Sequence, residues 1–237
     1  EMVYNPLNKE NFLCMGTLSV IATPIGNLQD VTMRTLETLK TVDILLCEDT
    51  RVTARLLQRY DIRVPLESYR DEVHKQKIEK ILEWLQQGKH IGMVSDAGTP
   101  GISDPGAWLV RNVLHGAPET TIVPIPGASA VISALSISGF PSDQFLFLGF
   151  PPHKKGRTKF FTEAMQQAWT VALYESTHRI IKALEEIAGH DPSRQLCVAR
   201  EMTKIHETVY RGTASEILIE LEKTSTKGEF VIVIAQR

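Results

Sequence analysis

Apolar residues recur along this chain in two alternating rhythms. Short β-branched runs predict strands at Leu18–Ala22, Ile44–Cys47, Ile91–Val94 and Thr121–Ile125. Between them, helical spacing predicts helices over Thr32–Thr41, Thr50–Tyr60, Val73–Gln87 and Trp108–Leu114. In the third of these, Ile78, Ile81, Leu82 and Leu85 form one apolar face. The alternation continues past Gly127. Helices are expected over Ser129–Ser138, Lys159–Ala168, His178–Ala188 and Ala214–Glu222. Strands are expected over Phe145–Leu148, Val171–Tyr174, Leu196–Ala199, Thr208–Tyr210 and Phe230–Ile234. Such alternation implies an α/β fold with parallel strands and crossover helices. The Thr208–Tyr210 run can pair antiparallel with a neighbour, which would make a second sheet mixed. We expect an N-terminal α/β domain over residues 15–125 and a C-terminal α/β domain over residues 126–237. Residues 1–14 are expected to be an extension or an expression remnant ahead of Met15.

Composition adds limits. The 237 residues suffice for one large domain or two small ones. With 43% hydrophobic and 23% charged residues the chain has an ordinary soluble, globular balance. Cys14, Cys47 and Cys197 form neither a disulfide nor a metal pattern, which favours a reducing, cytoplasmic compartment. The seven histidines show no ligand spacing, so no metal is expected. No apolar run is long enough to span a bilayer; the richest, residues 120–150, is broken by Pro124, Pro126, Gly127, Gly139 and Pro141. The net charge of −2 does not by itself suggest a nucleic-acid partner. A chain of this balance that binds RNA must concentrate its positive charge locally.

Ligands of open α/β sheets bind beyond the carboxyl ends of the strands, and here those ends carry the unusual residues. They lead into Thr23–Leu28, into Glu48–Arg51, into Ser95–Gly106 and into Pro126–Ser129; in the second half they carry Glu175–Ser176 and Arg200–Glu201. Five of the twelve residues of Ser95–Gly106 are glycine or proline, which brings backbone close to a ligand and fixes its path. Asp96 can accept hydrogen bonds from a ribose or an ammonium group, whereas Asp104 with Pro105 fits a helix cap. Asp30 fits a helix cap as well as it fits a catalytic role. Neither a G-x-G-x-x-G nor a phosphate-loop pattern is present.

Eight segments, TPIGNLQDVTMR, EDTRVTARLL, VSDAGTPGISDPG, VPIPGASA, FLGFPP, YESTHRI, REMTKIHE and KGEFVIVI, carry a resemblance across roughly residues 16–235. In order and spacing they are similar to the ribosomal RNA small subunit methyltransferase I family, within the tetrapyrrole methylase superfamily. Ala128 and Thr177 stand where that family commonly has proline. The resemblance implies two α/β domains with S-adenosylmethionine folded into the cleft between them. It also implies a homodimer, and transfer of a methyl group to a cytidine ribose 2′-hydroxyl of 16S RNA or the 30S particle. By motif it implies cofactor contacts at Pro24, Asp96, Ala97, Gly98, Thr99, Ala128 and Ser129. Tyr174, Ala199 and the Gly228 backbone join them from the second domain.

A ribose hydroxyl is a weak acid, so a base or charge relay can assist its attack. Strand-end candidates are Asp49, Glu175, Glu201 and Glu229, with Arg51 and Arg200 nearby; a structural ion-pair network explains them equally well. Lys204 is an alternative activator if its pKa is lowered, although a solvated or phosphate-facing lysine is the favoured reading. RNA contact is expected from Lys154, Lys155, Arg157 and Lys159 beside His153, with Arg34, and with Arg51, Arg55 and Arg179 able to widen the patch; a solvated surface loop explains the Lys154–Lys159 run equally well. Two other functions compete: methylation of a tetrapyrrole, and a non-catalytic ribosome-assembly module.

Overall fold

A computed structural model of the protein describes residues 16–70, 74–104 and 106–237. The expected extension at residues 1–14, together with Val73 and Pro105, lies outside the described residues. The chain forms two compact units. The first holds Val31–Gly127 with the described residues up to Thr23; the second holds Pro24–Asp30 and Ala128–Arg237.

The first unit is built on a five-stranded sheet in the order β3-β2-β4-β1-β5, parallel at every pairing. Its strands are β1 (Thr17–Ile21), β2 (Ile44–Cys47), β3 (Leu66–Ser68), β4 (His90–Val94) and β5 (Thr121–Ile125). The helices are α1 (Met33–Thr41), α2 (Thr50–Arg59), α3 (His74–Gln86) and α4 (Gly106–Gly116). Alternation along the strands sorts side chains to two faces. Leu45, Cys47 and Val94 pack with Leu39 of α1 and with Leu56 and Leu57 of α2. Leu46, Ile91 and Met93 pack with Ile81 and Leu85 of α3 and with Leu109 and Val113 of α4. Gly92 in β4 leaves room for this packing: a Cβ there would lie 2.8 Å from Leu45 and 3.0 Å from Ile21.

Two local details depart from the sequence expectation, and a third, Pro124, agrees with it for a local reason. β3 was not expected: it is only three residues long, too short to show a period of two, and it forms by pairing Leu66 with Leu45. Asp30 does not cap α1; it ends a short 3-10 turn, Leu28–Asp30, and the Thr32 hydroxyl accepts from the Thr35 amide at 3.0 Å instead. Pro124 lies within β5 because β5 is an edge strand, where a missing amide costs no ladder bond; its carbonyl accepts from Arg34 Nη2 at 3.0 Å.

The second unit carries a mixed sheet in the order β6-β7-β10-β8-β9. The strands are β6 (Phe145–Phe147), β7 (Thr170–Ser176), β8 (Gln195–Arg200), β9 (Thr208–Thr213) and β10 (Glu229–Ile234). Only β6 and β7 are parallel; β10 runs antiparallel to both β7 and β8, and β9 antiparallel to β8. The mixed sheet expected from the Thr208–Tyr210 run is therefore present. The helices are α5 (Ala130–Ser138), α6 (Arg157–Met165), α7 (Ile180–His190) and α8 (Ala214–Lys223). One face, with Leu173, Val198, Phe230 and Ile232, is covered by α6, α7 and α8. The other, with Ala172, Cys197, Ala199, Val231 and Val233, packs on α5. A reciprocal cap between Thr213 and Glu216 starts α8. Among the described residues no helix is long and apolar enough to cross a membrane, and none form a metal-binding cluster.

Candidate functional site

All carboxyl ends of the first sheet lie at one end, because every pairing is parallel. Backbone bonds tie the loops there together. The turn after β1 and the turn after β4 form a two-way bridge: the Thr23 amide donates to the Gly98 carbonyl at 2.9 Å, and the Gly98 amide returns to Thr23 at 3.0 Å. Gly98 holds φ +81°, a conformation that disfavours any residue with a Cβ. The Thr23 hydroxyl donates to the Ser95 carbonyl at 3.3 Å. Ala97 is exposed, while Asp96 and Thr99 are half-buried. The loop then folds back on the start of α4, where Asp104 accepts from the amides of Gly101 and Gly106. A Cβ on Gly106 would sit 2.6 Å from the Gly101 nitrogen, so two backbones meet there directly.

Asp96 and Asp49 meet at this end. The Asp49 amide donates to Asp96 Oδ1 at 2.9 Å, joining the turns after β2 and β4. The Asp49 carboxylate caps α2 by accepting from the Arg51 amide at 2.8 Å, and it holds the Arg51 guanidinium at 2.6 Å and 3.0 Å. The hydrogen bonds from the Arg51 side chain and then from its amide keep the Asp49 carboxyl well below the usual carboxylate range. Asp49 is thereby a stable anion and a poor proton acceptor near neutral pH.

In the second unit, antiparallel pairing gathers residues from both strand directions at one end. Tyr174, Val231, Ala199 and Val209 form a row across four strands. All four belong to the apolar layer against α5, and Tyr174 packs on Phe147 and on the half-exposed Phe150 at ring distances of 4.8 Å and 5.4 Å. Ser129, half-buried, precedes α5; its carbonyl accepts from the Ser133 amide at 3.0 Å, and its hydroxyl makes no cap bond. Pro24 is buried, and the turn after it reaches the Met202–Lys204 turn: the Asn27 amide donates to the Thr203 hydroxyl at 3.0 Å. A Cβ on Gly26 would lie 2.5 Å from Lys204 Cγ, so glycine is what permits this approach. Of the expected cofactor residues, Ala97 is open to solvent, whereas Ala199 is fully buried.

The next row, Glu175, Phe230, Arg200 and Thr208, points to the opposite face. Glu175 is fully buried between Arg157 at 3.3 Å and Arg179 at 2.9 Å, and Arg157 also pairs with Glu186 at 3.0 Å. The two guanidinium groups donate onward to the Pro152 and Pro151 carbonyls. Arg157, expected among RNA-facing cations, is thus an interior residue, because its charge neutralises two carboxylates. Arg200 is buried as well and donates to the carbonyls of Lys227 at 2.6 Å and His206 at 3.2 Å. Lys159 is exposed and pairs with Glu163 at 3.6 Å, while His153, Lys154 and Lys155 are exposed.

Lys204 bridges Glu201 at 2.9 Å and Glu229 at 2.8 Å. Burial alone would lower its pKa, but hydrogen bonds and charge from the two carboxylates raise it. The condition for Lys204 to act as an activator, a lowered pKa, is therefore not met. Burial pushes Glu201 upward, yet bonds from Lys204 and the Glu229 amide leave it below its ordinary value. The Gly228 amide donates to the Thr177 hydroxyl at 2.7 Å, and that hydroxyl donates back to the Gly228 carbonyl at 2.9 Å. Sequence reasoning gave no role to Thr177, Thr203, Asn27 or Phe150. Their places within TPIGNLQDVTMR, FLGFPP, YESTHRI and REMTKIHE were the hint; the contacts themselves were hidden, since the partner of Thr177 lies 51 residues away.

Comparisons with known proteins give a consistent picture. The family profile described as Tetrapyrrole (Corrin/Porphyrin) Methylases matches residues 17–218. A Thermotoga maritima protein named Ribosomal RNA small subunit methyltransferase I is 42% identical over 221 residues, 93% of this chain and 99% of its own. A Synechocystis protein of the same name is 44% identical over 93% of this chain and 79% of its own. Among solved structures, the methyltransferase CobJ has a TM-score of 0.68 with 20% identity, covering 93% of this chain and 94% of its own. At that identity the likeness speaks for the fold alone.

Proposed function

The chain belongs to the tetrapyrrole methylase family, and from that premise we propose that it methylates a cytidine ribose 2′-hydroxyl of small-subunit ribosomal RNA with S-adenosylmethionine as donor. The observation that carries this reading is the identity of 42–44% to relatives named as small-subunit RNA methyltransferases, over 93% of the chain. In this reading the protein works in the cytoplasm, as a homodimer, on 16S RNA or the 30S particle.

The donor supplies an electrophilic methyl group on a sulfonium centre, open to in-line displacement. The residues around Asp96–Thr99 fit such a group. Asp96 commits Oδ1 to the Asp49 amide, and a carboxylate retains further acceptor positions for a ribose hydroxyl or an ammonium. The bridge between Thr23 and Gly98 fixes the loop that presents Ala97 and Thr99. From the second unit we assign Pro24, Ala128, Ser129, Tyr174, Ala199 and Gly228 to the same cofactor.

Among the candidates for taking the hydroxyl proton, Asp49 is held ionised by Arg51, Lys204 is held protonated, and Glu175 is enclosed by two arginines. We therefore assign catalysis to positioning: holding the reacting oxygen in line is worth several kcal/mol, on the order of 7–11 in the best intramolecular cases. Glu175, Arg200, Glu201 and Glu229 then serve the scaffold. Lys154 and Lys155, rather than Arg157, face the RNA phosphates.

The test is transfer of labelled methyl from S-adenosylmethionine, offered small ribosomal subunits or a porphyrinogen. Label is expected on a ribose of the small-subunit RNA. Label on the porphyrinogen alone would end this reading.

A further inference from the structure

Helix α2 is the most lopsided charged element of the described chain. Arg51, Arg55 and Arg59 recur every fourth residue, and Arg63 follows four residues later, beyond the helix end. All four are exposed. Successive members are offset by about 40° around the axis and by about 6 Å along it, so the helical three line one face. Thr53, Leu56 and Leu57 are buried on the other side. The helix contains no carboxylate, and Asp61 is the sole acidic residue from Thr50 to Leu66. Arg51 is paired with Asp49; among the described residues no ion pair reaches Arg55, Arg59 or Arg63.

Folding accounts for Arg59 only in part, through its place in the last turn and over the Tyr60 ring at 5.6 Å, and gives no reason for Arg55. Like charges four apart on a helix repel, costing a few tenths of a kcal/mol per pair. Other helices of similar exposure mix signs, as in α3 with Lys77, Glu79, Lys80 and Glu83. In a chain of net charge −2, such segregation is a local concentration of positive charge. The stripe also has a definite origin. It starts at the carboxyl end of β2, where Asp49 caps the helix and its amide meets Asp96 of the loop assigned to the cofactor.

We propose that Arg55 and Arg59 on the exposed face of α2, with Arg63 in the segment just beyond it, form a phosphate track that grips the RNA backbone running away from the methylated nucleotide. This rests on the RNA reading above and adds a contact surface in the first unit to the lysines of the second. Guanidinium groups suit the task because each can present two parallel donors to one phosphate. The contacts would be indifferent to base sequence and sensitive to salt.

The experiment measures binding of small-subunit ribosomal RNA at several salt concentrations, for the wild type and for R55Q/R59Q. Removing two phosphate contacts should weaken binding roughly ten-fold at physiological salt and make the slope of log K against log salt shallower by about 1.4. Affinity for S-adenosylmethionine, measured by calorimetry, should stay within about two-fold. R55K/R59K should keep the slope, because it keeps the charge. R111Q/K223Q, which removes two exposed cations elsewhere, should change little. An unchanged slope and affinity in R55Q/R59Q, or an equal loss in R111Q/K223Q, would overturn the track. Methyl transfer to RNA by the wild type is read separately, so loss of the track and loss of the RNA function are distinguishable.

Discussion

The strand-end residues of the two sheets solve different problems. At the carboxyl edge of the parallel sheet the ties between turns run to backbone groups: Thr23 with Gly98, the Asp49 amide to Asp96, and the Gly101 and Gly106 amides to Asp104. Side chains such as Asp96 and Thr99 are left only half-buried. At the matching end of the mixed sheet the charged side chains satisfy each other, as Glu175 does with Arg157 and Arg179 and Lys204 with Glu201 and Glu229. The same residue types at the same kind of position thus stay accessible in one unit and serve internal cohesion in the other. Strand direction explains part of this. A parallel sheet sends every carboxyl end, and every following loop, to one side; an antiparallel one mixes in strand beginnings such as Gly228–Glu229 that must be tied down.

The comparison can be broken most directly at Glu175. Glu175→Ala leaves buried Arg157 with Glu186 as its remaining carboxylate and half-buried Arg179 without its carboxylate, and should cost about 3 kcal/mol in urea unfolding. A loss under about 1 kcal/mol would mean the mixed-sheet end is not a scaffold. In the parallel-sheet unit the larger effect should fall on ligand rather than stability. Asp96→Ala should weaken S-adenosylmethionine binding at least about ten-fold, near 1.4 kcal/mol, by calorimetry. An unchanged affinity would leave Asp96 as only an anchor for the Asp49 amide. Smaller again, Lys154→Ala should weaken RNA binding roughly four-fold and leave the cofactor affinity alone, whereas Lys159→Ala, whose charge is already shared with Glu163, should do less.

The smallest expected effect is a pH dependence. Glu201 has a lowered folded pKa, so its contribution is present above the unfolded value of about 4.3 and fades as pH falls through the folded one. Lys204 has a raised folded pKa, so its contribution is complete below about 10.4 and fades as pH rises through the folded value. Lys204→Met should therefore flatten both limbs of thermal stability, at acid pH and above pH 10. Unaltered limbs would show that the Glu201–Lys204–Glu229 cluster does not sharpen the contrast between the two ends.

Much of the architecture was legible in the chain. β2 and β5 begin and end where their β-branched runs do, and the Ile81–Leu85 face of α3 lies in the core as its spacing requires. β3 was not legible, since three residues carry no rhythm and its existence depends on β2 beside it. At the site, the Gly/Pro-rich Ser95–Gly106 loop announced itself, because conformational demands on backbone leave a trace in residue choice. Arg157 did not: in sequence it reads as one more cation in a basic run, and only three-dimensional packing brings Glu175 and Glu186 to it. Nor could sequence show the positive φ of Glu201 and Thr203, which shape the turn that receives Asn27.

Pro124, with Arg34 on its carbonyl, has one more consequence. An open border of hydrogen-bonding groups invites a second molecule to zip on and seed aggregates. Here one rung lacks its donor and the acceptor beside it is already occupied, so β5 is a poor template for recruiting further chains.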